Sequence, residues 1–201
     1  MAAILTKLNS TIIAGFVLAL VLFLILLGWH NAGAAMDYAW WSFFFRWLHV
    51  LSGVMWIGIL WYFNFVQIPN MPNIDAAQRP AITQVIAPAA LFWFRWGAMS
   101  TIVTGLILAW LNGYIVDAIT IGITSGVAKH TAIGIGMWLG TIMWFNVWFI
   151  IWPKQKIALG IVEADDAAKA AAGRTAMLFS RTNTMLSIPM LYAMVAAQNL
   201  F

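Results

Sequence analysis

The chain has 201 residues, of which 64% are hydrophobic and 8% charged, with a formal net charge of +4 and no cysteine. That balance excludes an ordinary soluble domain and points to a protein whose solvent is lipid. Without cysteine there are no disulfides, no thiolate metal sites and no covalently attached c-type haem, and so modest a positive charge does not imply nucleic acid.

Apolar runs occupy roughly residues 11–28, 47–68, 91–115, 131–152 and 177–197. Each approaches the roughly 20 residues that a helix needs to cross about 30 Å of hydrocarbon. The expected fold is therefore all-α and integral to the membrane. Five transmembrane helices are expected, four of them forming a bundle from two repeated helix pairs. The organisation expected is one membrane domain, 1–201, made of a first peripheral helix (1–30), a first helix pair (40–112) and a second (128–200). The first run follows Lys7 like a signal peptide, but it is too long and is followed by no small-residue cleavage site, so it reads as a retained helix. Segment 69–90, with Pro69, Pro72 and Pro80, reads as an irregular turn with a short surface helix at most. Segment 157–176 reads as a polar extension of the fourth crossing or a surface helix.

Lysine and arginine set the orientation. Lys154, Lys156, Lys169 and Arg174 fall between the fourth and fifth runs, Arg79 between the second and third, and Lys7 before the first. By the positive-inside rule these segments are cytoplasmic, which gives a cytoplasmic N-terminus and a periplasmic C-terminus in the inner membrane of a bacterium. The lipid bilayer is the first partner.

Part of the chain repeats. His49-Val-Leu-Ser-Gly53 returns as His130-Thr-Ala-Ile-Gly134, Met55-Trp56-Ile57-Gly58 as Met137-Trp138-Leu139-Gly140, and Phe63-Asn64 as Phe145-Asn146. Leu91-Phe92 precede Arg95 as Leu178-Phe179 precede Arg181. In duplicated membrane folds the repeat interface is where sites lie. His49 and His130, each with a glycine one turn on (Gly53, Gly134), fall at one depth and are the candidate metal ligands of a haem b. Arg46 and Lys129 are placed to pair with its propionates. The competing reading makes His130 a boundary residue and His49 an interhelical hydrogen-bonding group. Asn64, Arg95, Asn146 and Arg181 gather toward the other membrane face as a candidate substrate-binding cluster for a planar anion. Its rival is a set of headgroup anchors and helix-packing amides. No catalytic residue is assigned. His30 reads as interfacial, with copper binding beside the other two histidines a remote alternative.

Arg46-Trp-Leu-His49-Val-Leu-Ser-Gly-Val-Met-Trp56-Ile-Gly58, Phe94-Arg95-Trp-Gly97, Gly140-Thr-Ile-Met-Trp-Phe-Asn146-Val, Ile151-Trp-Pro153-Lys-Gln155 and Arg181-Thr-Asn-Thr-Met-Leu-Ser-Ile-Pro189-Met-Leu resemble the membrane domain of the cytochrome-c-linked urate oxidases. A looser resemblance links the His49 helix to four-helix haem-binding protoporphyrinogen oxidases and CopD-type copper-resistance proteins. The resemblance implies a membrane oxidoreductase or electron-transfer protein passing electrons toward a c-type cytochrome, with His49 matching the helix-opening histidine. The sequence departs from that family in lacking its extra crossings and its cytochrome c domain. A non-catalytic subunit of a larger membrane complex is therefore the alternative expectation.

Overall fold

In hydrocarbon every backbone N–H and C=O must find a partner within the chain, and long apolar segments meet that demand as helices. The computed structural model describes residues 2–29 and 37–201, and no strand occurs among them. After one turn at Ala2–Leu5 come α1 (Leu8–Trp29), α2 (Tyr38–Asn73), α3 (Ala81–Leu111), a short α4 (Ile115–Ile119), α5 (Ala128–Ala158) and α6 (Asp166–Asn199). Four of them, α1, α2, α3 and α5, are long and apolar enough to cross a membrane. The protein is thus a helical membrane protein. At 34 residues α6 spans about 51 Å, but it carries too many polar residues to match the apolarity of the other four.

The chain divides into two compact units, Met1–Trp40 and Trp41–Phe201. In the first, the Asp37 carboxylate caps α2 by accepting from the Trp40 N–H at 3.0 Å, and Phe23 meets Trp40 edge-on. His30 lies outside the described residues.

In the second unit four helices build one core. Trp56, Leu60 and Phe63 of α2, Leu91 and Phe94 of α3, Met143 and Val147 of α5, and Ala176 and Met190 of α6 pack together. A second cluster, Ala118, Ala132, Ile133 and Ala197, joins α4 to α5 and α6. Small residues permit the closest approaches. A Cβ on Gly97 of α3 would stand 3.2 Å from the Trp56 backbone nitrogen of α2.

Two connections differ from expectation. Segment 69–90 is largely helical, because α2 runs on to Asn73 and α3 begins at Ala81. Pro69, Pro88 and Pro153 do not end their helices, because a wide turn precedes each. The amide just before Pro69, Pro88 and Pro153 bonds five residues back: Ile68 to Phe63, Ala87 to Ile82, and Trp152 to Val147. Proline removes a donor and crowds the carbonyl four residues earlier, and a π-turn of six residues relieves that crowding without breaking the helix. Segment 157–176 is neither an extension of α5 nor a separate surface helix. From Asp166 it is the polar start of α6, with the Asp165 carboxylate capping the Ala168 N–H at 2.7 Å.

Polar side chains on one stripe of α6 secure it to its neighbours. Asn64 Nδ2 of α2 donates to Ser180 Oγ at 2.8 Å, and Trp61 Nε1 of α2 donates to Ser187 Oγ at 3.0 Å. Asn146 Nδ2 of α5 donates to Asn183 Oδ1 at 2.8 Å, while Asn183 Nδ2 donates to the Met143 carbonyl at 2.9 Å. Asn183 and Ser187 are completely buried. In a double-mutant cycle of Asn146→Ala and Asn183→Ala, read by unfolding in detergent, we expect a coupling of about 0.6–1.7 kcal/mol, the range for interhelical hydrogen bonds in membranes. Additive effects of the two substitutions would show that the amide pair contributes no interaction of its own.

Candidate functional site: the His49 cavity

His49 sits on α2 facing α3. Its Nδ1 lies 2.9 Å from the Thr101 carbonyl oxygen and 3.3 Å from Thr104 Oγ1. A carbonyl only accepts, so Nδ1 carries the proton and donates, which leaves the lone pair on Nε2. Gly105 makes this arrangement possible: a Cβ there would come within 2.9 Å of His49 Cε1. A histidine held through one ring nitrogen by a backbone carbonyl, with the other nitrogen bare, is the form in which imidazole binds metals.

The ring lines a cavity of about 620 Å³, within the range of cofactor sites. Arg46, Gly53 and Trp56 of α2, Gly105 of α3, Met137 of α5, and Met190 and Met194 of α6 line it. Gly53 has open space where a Cβ would stand, so the missing side chain widens the cavity. Gln198 and Asn199, at the end of α6, add amides to the lining that includes Arg46.

His130 is placed elsewhere. Its Nδ1 lies 2.9 Å from Ser125 Oγ and 3.3 Å from Asp117 Oδ2, and Thr124 Oγ1 donates to the other oxygen of that carboxylate at 2.7 Å. His130 does not line the cavity. Tyr114, whose ring stacks on it at 6.1 Å, lines the wall instead. Gly134 does not make room for a macrocycle either. It is filled by α4, and a Cβ there would overlap the Ala118 carbonyl. Trp138 Nε1 fastens the same contact by donating to the Ile119 carbonyl at 3.0 Å. Lys129 is half-buried and is absent from the cavity wall. The expected pair of facing histidines is therefore replaced by one cavity-lining histidine and one in a hydrogen-bonded outer cluster.

None of the four residues expected to bind substrate lines the His49 cavity. Asn64 and Asn146 are buried in the separate α6 contacts described above. Arg95 donates through Nε to the Leu91 carbonyl at 3.1 Å and lies 3.4 Å over the Trp152 ring. Arg181 is exposed. A cavity of about 300 Å³ does open at this end, but Gln67, Thr83, Gln155 and Ser180 are its polar lining and none of the four takes part.

Thr101, Gly105 and Met194 escaped the sequence reading. The threonine and the glycine lie four residues apart, one turn of α3, and that spacing was the available signal. Gly134→Ala should destabilise the protein by about 1–3 kcal/mol through overpacking against α4. Gly53→Ala should be close to neutral. Thermal unfolding of the two variants beside the wild type measures the difference, and equal effects would contradict the packing described.

Residues 118–199, less than half of the chain, match the family model of the urate oxidase N-terminal domain. No curated protein and no solved structure matches the chain. The matched part contains α5 and α6 with Asn146, Pro153 and Arg181, whereas His49 and Arg95 lie outside it. Over its second helix pair the chain is similar to a urate-oxidase-related family.

Proposed function

We propose that the protein is a membrane-bound b-type haem electron-transfer protein of the urate-oxidase membrane-domain type, passing electrons toward a c-type cytochrome. The observation that carries this reading is the His49 imidazole, fixed through Nδ1 by the Thr101 carbonyl so that Nε2 is free beside an apolar cavity of about 620 Å³. The donor chemistry, the volume and the two glycines at 53 and 105 fit a haem. His49 would hold the iron, and Arg46 with the amides of Gln198 and Asn199 would pair with the propionates. Haem supplies reversible one-electron chemistry when bound.

The chain's own residues do the rest. The Thr101 carbonyl fixes the imidazole's orientation and raises its basicity. Trp56 and the methionines exclude water, which favours electron transfer over side reactions. In this reading α6 is the fifth crossing, its polar stripe satisfied by α2 and α5. The helices fall into pairs over 40–112 and 128–200, and the end of α5 that carries Lys154 and Lys156 is cytoplasmic in a bacterial inner membrane. A second reading is a non-catalytic subunit of a larger membrane complex. It is favoured by Asn64, Asn146 and Arg95 being engaged in helix contacts rather than in a shared substrate cleft.

Visible spectra of the mildly solubilised protein, oxidised and reduced, decide between the two. A b-type spectrum is expected, lost in His49→Ala and in Gly53→Leu, whose side chain fills the cavity, and kept in His130→Ala. A colourless protein that also fails to take up added haem would leave the subunit reading, which fixed-stoichiometry isolation with a larger partner then supports.

A cysteine at position 164 should react with membrane-impermeant maleimide only after the inner face is opened. Labelling in intact cells would reverse the orientation.

A further inference from the structure

A guanidinium at membrane depth is costly unless an anion meets it. Arg95 donates through Nε to the Leu91 carbonyl at 3.1 Å, and its Cζ lies 3.4 Å over the Trp152 ring. Its two Nη groups have no hydrogen-bond partner among the described residues. Lys156, one turn beyond Trp152 on α5, brings its Nζ to 5.8 Å from the same ring. Neither cation has an acidic partner among the described residues. We infer that Arg95 and Lys156, gathered on the Trp152 indole, form a binding site for the phosphate of an anionic glycerophospholipid. The site is independent of what occupies the His49 cavity.

Three observations point to that ligand. The first is charge. An aromatic face stabilises a cation without neutralising it, so two positive charges remain to be met. A zwitterionic headgroup would bring a third cation to an indole that Arg95 already covers, whereas a headgroup with net negative charge adds none. The guanidinium fork holds phosphate oxygens through its Nη groups, and the lysine contributes a point charge.

The second is depth. Counted from Leu111 at one end of α3, Arg95 lies about 24 Å along the helix, close to the far side of about 30 Å of hydrocarbon. Lys156 lies toward the same end, because its neighbours Gln155 and Ala158 share a cavity with Thr83 and Ala87 from the start of α3. The two cations thus approach the level of the phosphates from within. Basic pockets between membrane helices bind anionic headgroups at this boundary.

The third is the surface beside the charges. The Phe92 and Trp96 rings lie 6.5 Å apart, Trp96 meets Trp148 edge-on at 5.5 Å, and Arg95 Cζ is 5.8 Å from the Trp148 ring. Phe92 and Trp96 are each about half exposed. An apolar aromatic wall adjoining the cations suits acyl chains, and inorganic phosphate would leave it unused.

The experiment uses the full chain in mild detergent, titrated with phosphatidylglycerol or with phosphatidylcholine while native mass spectrometry counts the lipids bound. The wild type should bind one phosphatidylglycerol about tenfold more tightly than phosphatidylcholine. Arg95→Gln and Lys156→Gln should each weaken that binding about fivefold, the loss of one basic contact at a membrane surface. Lys156→Gln leaves Arg95 on Trp152 and the α3–α5 contact in place, so its effect is readable even where Arg95→Gln fails to fold. Arg181→Gln removes an exposed cation that is not stacked on Trp152 and should change nothing. Equal binding of the two lipids, or equal losses in Lys156→Gln and Arg181→Gln, overturns the site and leaves a diffuse attraction of basic residues for anionic lipid. Displacement of the bound phosphatidylglycerol by millimolar inorganic phosphate overturns the lipid assignment and gives the pair to free phosphate.

Discussion

The hydrogen bond from His49 Nδ1 to the Thr101 carbonyl is the contact on which the functional geometry depends. It fixes where the imidazole proton sits and therefore which nitrogen faces the cavity. It also sets close neighbours around it: α3 must present a carbonyl at residue 101 and nothing larger than hydrogen at residue 105. A histidine in lipid without a partner would carry an unsatisfied N–H at a cost of several kcal/mol. The contact thus satisfies a buried donor and fixes the orientation of the ring together.

The same economy of polar groups shapes α6. Ser180, Asn183 and Ser187 lower its apolarity below that of the other long helices, yet each meets a partner on α2 or α5. A helix this polar would be poorly placed against lipid alone. Against two neighbours that offer complementary groups, its polar stripe becomes a register device, because a one-residue slip rotates every partner by about 100°. Asn64 Oδ1 is one exception, buried without a hydrogen-bond partner, and Trp56 Nε1 is another.

How much of this could be read in the sequence depends on whether a feature belongs to one helix or to two. The apolar runs and the shared face of His49, Gly53 and Trp56 follow from spacing along a single helix, and the structure gives that face to one cavity. The partners of that face do not follow from spacing. His130 is the counterpart of His49 in the repeat, but α4 precedes it. Its Ala118 carbonyl occupies the notch at Gly134, and Asp117 and Ser125 hold the ring. The asparagines diverge for a backbone reason: Asn64 falls inside the wide turn Tyr62–Gln67, whereas Asn146 opens the wide turn Asn146–Ile151. An extra residue in a turn reorients everything beyond it, so matching letters in the two repeats face different neighbours. Periodicity assumes regular helices, and the proline-linked π-turns break that assumption at these positions.

The two ends of the four-helix unit therefore divide the work. At the Asn64 end, polar side chains are consumed by helix contacts, and Arg95 is stacked on Trp152 with its Nε bonded to the Leu91 carbonyl. A guanidinium held in this way anchors α3 to α5. At the His49 end the pattern is reversed: small residues withhold side chains, the wall is apolar, and one imidazole nitrogen is left without a partner among the described residues. The two ends are separated by about 22 Å of helix between residues 49 and 64. The wide turns and their prolines lie at the Asn64 end, and the backbone of α2 around His49 is regular α-helix. A cofactor ligand requires that kind of support, because error in its position is set by the stiffness of the element that carries it. In α2 the wide turn lies at the Asn64 end, and the stretch that carries His49, Gly53 and Trp56 is regular helix.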